Sequence, residues 1–342
     1  MKLNKTIIGI LGGCILIIAI LAATGYYLCF SKAFSITETT YLYIRPGDSL
    51  DDVCKQLESE AHPNTLKGFR LLSSFYKYDE HIRSGRYAVK ADDNMFRLVR
   101  RLSTGQQSPV NLIIPSVRTM EKLAGSISSR LMLDSATIVS ALKDSVFCKQ
   151  QGYTTQTIAC LFIPNTYQVY WDMDIDEFFA RMQKEHKRFW NDERIEKAKR
   201  TGLTPEQVST LASIVDEETA KNDEKPMIAG LYINRLKKDM LLQADPTVKF
   251  ACGDFGLRRI LNKHLTVDSP YNTYKYIGLP PGPIRIPSIT GIESVLNHTN
   301  HDYLYMCAKE DFSGYHNFAK TMSGHLQNAQ RYQRELNRRN IK

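Results

Sequence analysis

The sequence predicts an α+β protein: one N-terminal transmembrane helix, a small strand–turn–helix module, and a larger mixed domain of helices and ordered loops. Three observations carry this reading. No charged residue lies between Lys5 and Lys32. Short β-rich runs, each leading into an amphipathic stretch, recur between Tyr43 and Ile127. Beyond about residue 131 the apolar spacing becomes helical and is interrupted by Pro-, Asn- and Gly-rich stretches. A chain of 342 residues has room for two or three domains. The boundaries are expected at 1–32 (cytoplasmic tip and anchor), 33–130 (module) and 131–342 (main domain).

The apolar run IIGILGGCILIIAILAATGYYLCF is long enough to cross a hydrocarbon core as a helix. It exceeds the roughly 7–15 apolar residues of a cleaved signal peptide. Tyr26 and Tyr27 suit an interfacial belt, and Lys2 and Lys5 favour a cytoplasmic N-terminus. Everything after about Ser31 is therefore expected outside the inner membrane. A formal charge of +9 reads first as solvated surface charge, with attraction to an anionic envelope polymer or lipid headgroups as the alternative. Part of that charge lies in a C-terminal tail helix with Arg331, Arg334, Arg338, Arg339 and Lys342. There is no helix-turn-helix, zinc-finger or RNP signature, so no nucleic-acid partner is expected. The seven cysteines show no CxxC or Cys/His spacing, so no metal or cofactor is expected. A Cys148–Cys160 disulfide is not favoured.

The module reads as a weak threefold repeat. Tyr43-Ile44 and the turn Arg45–Asp48 lead into Val53-Cys54-Leu57. Gly85–Lys90 leads into Met95-Phe96-Leu98-Val99-Leu102, and Val110–Pro115 leads into Thr119–Ile127. Such units resemble the small α+β folds of LysM-like domains, which bind glycans; a structural platform with no ligand fits the pattern equally. Helical spacing follows from Asp134 to about Val146. The apolar run Cys160–Tyr167 is broken by a turn, and Ile175 to about Arg200 is again helical.

The next helix carries the most informative residue. Thr204 can cap it, Pro205 fits the first helical position, and Gln207 completes a T-x-x-Q capping box. Val208, Leu211, Ile214 and Val215 then form an apolar stripe, and Glu218 falls on that stripe. At about 100° per residue, Glu217 and Asp216 turn away from it and are expected to face water. A carboxyl on an apolar wall loses hydration of its charged form, so its pKa rises, as a general acid at neutral pH requires. The spacing alone leaves other roles open: the edge of the stripe, or an ion pair with Arg235.

A second helix runs from about Lys225 to Leu236 and ends in Ile233-Asn234-Arg235-Leu236. The remainder reads as loops: Leu242–Val248, Asp268–Tyr274, and the stiff Gly278-Leu279-Pro280-Pro281-Gly282-Pro283-Ile284. Tyrosines, amides and threonines on stiff loops are what a sugar groove uses, for stacking and for hydroxyl contacts.

The order LASIVDEETA, INRL, LQADPTV, YNTY, GLPPGPI and YHNFAKT resembles the endolytic murein transglycosylases of the YceG-like family. With the N-terminal anchor, the LysM-like module and the Phe162–Tyr167 motif, the resemblance covers nearly the whole chain. It implies cleavage of the β-1,4 bond between N-acetylmuramic acid and N-acetylglucosamine within glycan strands, leaving 1,6-anhydromuramic ends. It also implies that the catalytic glutamate is Glu218, the acid that the stripe singles out independently. The chain departs from the family pattern at Asp216 (usually Glu), at Ile114-Pro115-Ser116-Val117-Arg118-Thr119 (usually I-P-E-G-x-T) and at Asn165 (usually Asp).

Under this resemblance the muramic acid's own C6 hydroxyl attacks C1, so one enzymatic acid suffices. Glu218 protonates the leaving oxygen and its conjugate base then takes the C6 proton. Gln243, Tyr271, Asn272 and Thr273 are expected to steady the oxocarbenium-like state or to contact sugar. Asn234, Asp245, Thr247, Tyr274, His316 and Thr321 complete the expected substrate-binding set. Two rivals are a hydrolytic muramidase, with Asp245 positioning water, and a non-catalytic, membrane-tethered glycan-binding scaffold. The implied setting is a bacterial inner membrane crossed once, with the catalytic domain on the extracytoplasmic side. The implied partners are glycan strands, that membrane and the synthases that make the strands.

Overall fold

The computed structural model describes residues 5–257 and 259–339. Lys2 and Lys342 lie outside the described residues. The fold is α+β, and the chain divides into two compact units. The first runs to Asn111 and takes in Arg130–Met132 and Gln168–Met173. The second comprises Leu112–Ser129, Leu133–Tyr167 and the chain from Asp174 onward.

The first unit opens with α1 (Lys5–Phe30). From Gly9 this helix is long and apolar enough to cross a membrane, and Ile10, Ile15, Leu16 and Leu21 lie exposed along it. β1 (Thr40–Ile44) leads into α2 (Leu50–Ala61), and β2 (Gly85–Val89) into α4 (Met95–Ser103). These are two of the strand–turn–helix repeats. Ser49 closes a capping box with Asp52 on α2, and Asn94 caps α4. The strands pair antiparallel from Thr40 opposite Val89 to Ile44 opposite Gly85. Leu42, Ile44, Val53, Leu57, Tyr87, Val89, Leu98 and Val99 form one apolar core. α3 (Lys67–Phe75), which no cap announces in the sequence, adds Phe69 and Leu72.

The third repeat, β3 (Val110–Ile114) and α5 (Met120–Ser128), leads into the second unit. There the expected helix from Asp134 is two, α6 (Ser135–Lys143) and α7 (Ser145–Gln150), because Asp144 ends one and caps the other. β4 (Asn165–Val169) pairs with β3. The helical stretch from Ile175 is likewise broken, at Trp190 and Asn191, into α8 (Ile175–Phe189) and α9 (Asp192–Thr201), with Asn191 capping the latter. α10 (Pro205–Glu218) has the anticipated Thr204/Gln207 capping box, and α11 (Lys225–Lys237) follows.

One expectation fails next. Leu242–Val248 reads as turn in the sequence, yet Asp245 opens a helix, α12 (Asp245–Cys252), with Pro246 in its first turn. Then come α13 (Asn262–Leu265), α14 (Ile289–Leu296), the hairpin β5 (Tyr305–Ala308)–β6 (His316–Ala319) and the tail helix α15 (Met322–Arg338). α10 is the central pillar: α9, α11, α12 and α14 pack around it. Its Val208, Leu211, Ala212, Ile214 and Val215 are fully buried among Ile228, Tyr232, Ala244 and Ile292. The loop through Gly278–Ile284 stays non-helical, as its prolines require.

Candidate active site

α10 ends on the run Asp216-Glu217-Glu218, and the structure gives each acid different partners. Asp216 and Glu217 do not face water, contrary to the sequence expectation. Asp216 pairs with Lys225 at 2.8 Å and accepts from the Ser288 N–H (2.6 Å) and hydroxyl (2.8 Å). Glu217 accepts a two-pronged contact from Arg118 (2.8 and 2.6 Å) and another from Arg285 (2.8 Å). Lys225 comes from the start of the next helix and Arg118 and Arg285 from segments distant in sequence, none of which the periodicity of α10 can foresee. Arg235 is not the partner of Glu218 either. Its guanidinium donates to the Leu304, Leu241 and Leu242 carbonyls at 2.6–3.0 Å.

Glu218 instead accepts a 2.6 Å hydrogen bond from the hydroxyl of Tyr232, a side chain 1% exposed on α11. The carboxyl opens into a pocket of about 220 Å³ whose polar lining includes Tyr232, Arg235, Gln243, Asp245, Tyr274 and His316. Dense protein around it removes hydration of the charged form and raises the Glu218 pKa to about 7. The Tyr232 hydrogen bond pulls the other way, and the nearby Asp245 carboxylate adds to the rise. The Tyr232 phenol is itself pushed well above its usual value by burial, then by Glu218, so it stays a donor. This is a carboxyl that can hold a proton near neutral pH and give it up.

The rest of the pocket is fixed from behind. Asp245, at the start of α12, accepts from the Tyr274 hydroxyl at 2.6 Å. Gln243 has the left-handed φ of 50°, a costly conformation for a non-glycine residue. Its N–H donates to the Thr273 carbonyl (3.1 Å) and its side-chain oxygen accepts from Arg235 (3.2 Å). His316, on β6, is held by buried Glu224, which accepts from the His316 N–H at 2.6 Å and lies 3.0 Å from Nδ1.

Of the residues expected to contact substrate, Gln243, Asp245, Tyr274 and His316 therefore line one pocket with Glu218. Six do not. Thr247 and Thr273 are buried and bond each other at 2.8 Å, fixing the entry to α12. Asn272 is fully buried and donates to the Leu265 and Val267 carbonyls. Asn234 donates to the carbonyls of His301 and Tyr303. Tyr271 packs on Phe250, ring centroids 4.6 Å apart, and Thr321 caps α15. The amides and hydroxyls of Asn234, Thr247, Asn272 and Thr273 are consumed by backbone groups that would otherwise be buried unpaired. Among the described residues no group of three or more His, Cys, Asp or Glu could hold a metal ion, and the seven cysteines are free.

A family model described as YceG-like matches residues 42–331. The chain belongs to the YceG-like family. It is 27% identical over 332 residues to an endolytic murein transglycosylase of Streptococcus pneumoniae, covering 85% of this chain and 59% of that protein. A Bacillus subtilis endolytic murein transglycosylase is 26% identical over 310 residues, covering 86% of this chain and 85% of that one. This YceG-like chain thus spans about three fifths of the pneumococcal relative's length. A crystal structure of a YceG-like protein from Listeria monocytogenes superposes with a TM-score of 0.55 at 28% identity, over 85% of this chain and 99% of that one.

Sequence reasoning missed Tyr232. A signal was available in this YceG-like chain: a phenol in the apolar run Ile228–Ile233 must find a partner when buried.

Proposed function

We propose that this chain is an endolytic lytic transglycosylase that cleaves the muramic acid–glucosamine β-1,4 bonds of murein strands. The observation that carries the reading is the Glu218 carboxyl, held by Tyr232 in a pocket and tuned to about 7. Protonated Glu218 donates to the glycosidic oxygen as the C1–O bond breaks, and the leaving sugar departs with that proton. The carboxylate left behind removes the C6 hydroxyl proton of the muramic acid. O6 then bonds to C1, closing the 1,6-anhydro ring and restoring the acid. No water and no enzymatic nucleophile are consumed. Gln243, Tyr274 and His316 are the side chains placed to meet sugar hydroxyls or the charge developing at C1.

A second reading rests on Asp245, which faces the same pocket. Two carboxyls flanking a glycosidic bond suit hydrolysis, with one activating water. Mass spectrometry of the products separates the two: anhydro ends support the lyase and reducing ends overturn it. Glu218→Gln is expected to lower turnover of purified strands by about 10³–10⁴-fold, the upper part of the usual range for a general acid or base, since both proton transfers are lost. Unchanged turnover would remove Glu218 from the mechanism. No turnover in the parent would favour a glycan-binding scaffold.

In the same reading, α1 anchors the chain in the inner membrane, with the chain after it on the extracytoplasmic side. The strand–turn–helix module of the first unit then either holds glycan or serves as a platform with no ligand, and the synthases that make the strands are neighbours.

A further inference from the structure

The helix that carries Asp245 has a second side. Phe250 follows Asp245 by five residues, about 140° further round α12 at 100° per residue. A small hollow lies along this helix, bounded by Glu217, Arg118, Pro246, Lys249, Phe250 and Phe255. It shares Arg118, Phe250 and Phe255 with a larger pocket of about 560 Å³. A continuous lining thus runs from Glu217, the neighbour of Glu218, to Tyr271.

The chemistry of the larger pocket differs from that of the Glu218 pocket. Its wall is largely apolar, built from Met120, Leu142, Ile158, Ala159 and Tyr271, and offers few partners to sugar hydroxyls. Its mouth is ionic: Arg118, Lys143 and Arg285 stand against one lining acid, Glu121, with Lys143 paired to Glu121 and both arginines to Glu217 of the adjoining hollow. The Arg285 Nε is buried without a hydrogen-bond partner, a donor left over in that cluster. An apolar wall under a net-positive mouth fits a short peptide with small aliphatic side chains and free carboxylates.

We propose that this pocket seats the acidic peptide branch carried by the muramic acid residues of the strand. The inference rests on the murein substrate of the preceding section and adds a recognition site to it. A branch tethered to the sugar at Glu218 meets the pocket at high effective concentration, so modest contacts bias which strands are cut.

The test uses the full chain in detergent and two preparations of one glycan, with peptides intact or stripped by an amidase that cuts the muramoyl–alanine bond. Thr155→Trp narrows the rim, where Thr155 is exposed, and Lys143→Glu reverses a charge at the mouth. For peptide-bearing strands the parent is expected to show the lower KM. Either variant should raise that KM roughly tenfold, the loss of one good contact, and leave the stripped strands far less affected. Calorimetry with N-acetylmuramoyl-L-alanyl-D-isoglutamine as probe should show binding to Glu218→Gln and its loss when Thr155→Trp is added. Equal KM for the two preparations in the parent overturns the proposal, as does equal damage to both, which would mark a sugar subsite. Failure of the probe to bind at millimolar concentration overturns it too. If no anhydro ends form yet the probe binds and Thr155→Trp abolishes it, the transglycosylase reading fails and the peptide site stands.

Discussion

Glu218 is the last residue of its helix, where unpaired carbonyls already disfavour negative charge. Enclosure adds to that penalty and Tyr232 offsets part of it. Two outcomes follow from the raised pKa of about 7. Between the ordinary carboxyl range and pH 7 the folded state binds a proton that the unfolded state has released. Stability therefore falls as pH rises through that window. Glu218→Gln keeps the shape and the acceptor for Tyr232 but lacks this loss, so its Tm advantage over the parent should grow from pH 5 to pH 8. After discounting for the open mouth of the pocket the gain is about 1–2 kcal/mol; a pH-independent Tm difference would contradict it. Tyr232→Phe removes a donor to the charged carboxylate, which raises the Glu218 pKa further. The alkaline limb of kcat/KM should move to higher pH while kcat falls, and an unmoved limb would mean that Tyr232 only packs.

At the scale of elements, the chain places Glu218 by locking the turn of helix before it. The Asp216–Lys225 pair, 3% and 8% exposed, pins the end of α10 to the start of α11, and Ser288 ties it to α14. Lys225→Met leaves a buried carboxylate without its counter-ion. It should destabilise the second unit by about 3–5 kcal/mol, read as a drop in the denaturation midpoint. α10 was legible to the residue because its signals are local: a cap, a proline, a stripe. α12 was not, since Ala244 offers no capping side chain and Pro246 reads as a turn. The same contrast holds for the site. Glu218, Gln243, Asp245, Tyr274 and His316 could be chosen from residue type and motif order. Asn234, Thr247, Asn272 and Thr273 have the same chemistry, but tertiary packing turns them onto backbone groups. Whether an amide meets sugar or a neighbouring carbonyl is decided by long-range contacts that no sequence window contains.

For the whole molecule the relevant feature is how α1 meets the first unit. Cys29 is buried in that unit's core, Asn94 donates to the Phe30 carbonyl, and the Ala33 N–H donates to Asp93. A chain starting at Ser31 is expected to stay soluble without detergent. It should also lose about 1–2 kcal/mol of first-unit stability through the missing Cys29 packing; an unchanged Tm would show that this junction is passive. A protein on a flexible linker explores a volume set by the linker's length. Here apolar helix and folded core share side chains with no slack between them. With α1 as a membrane anchor, the first unit would stand at a fixed tilt and working height above the bilayer. On the proposed murein substrate, the stretch of polymer it meets would be a thin layer, chosen by the geometry of a joint rather than by diffusion.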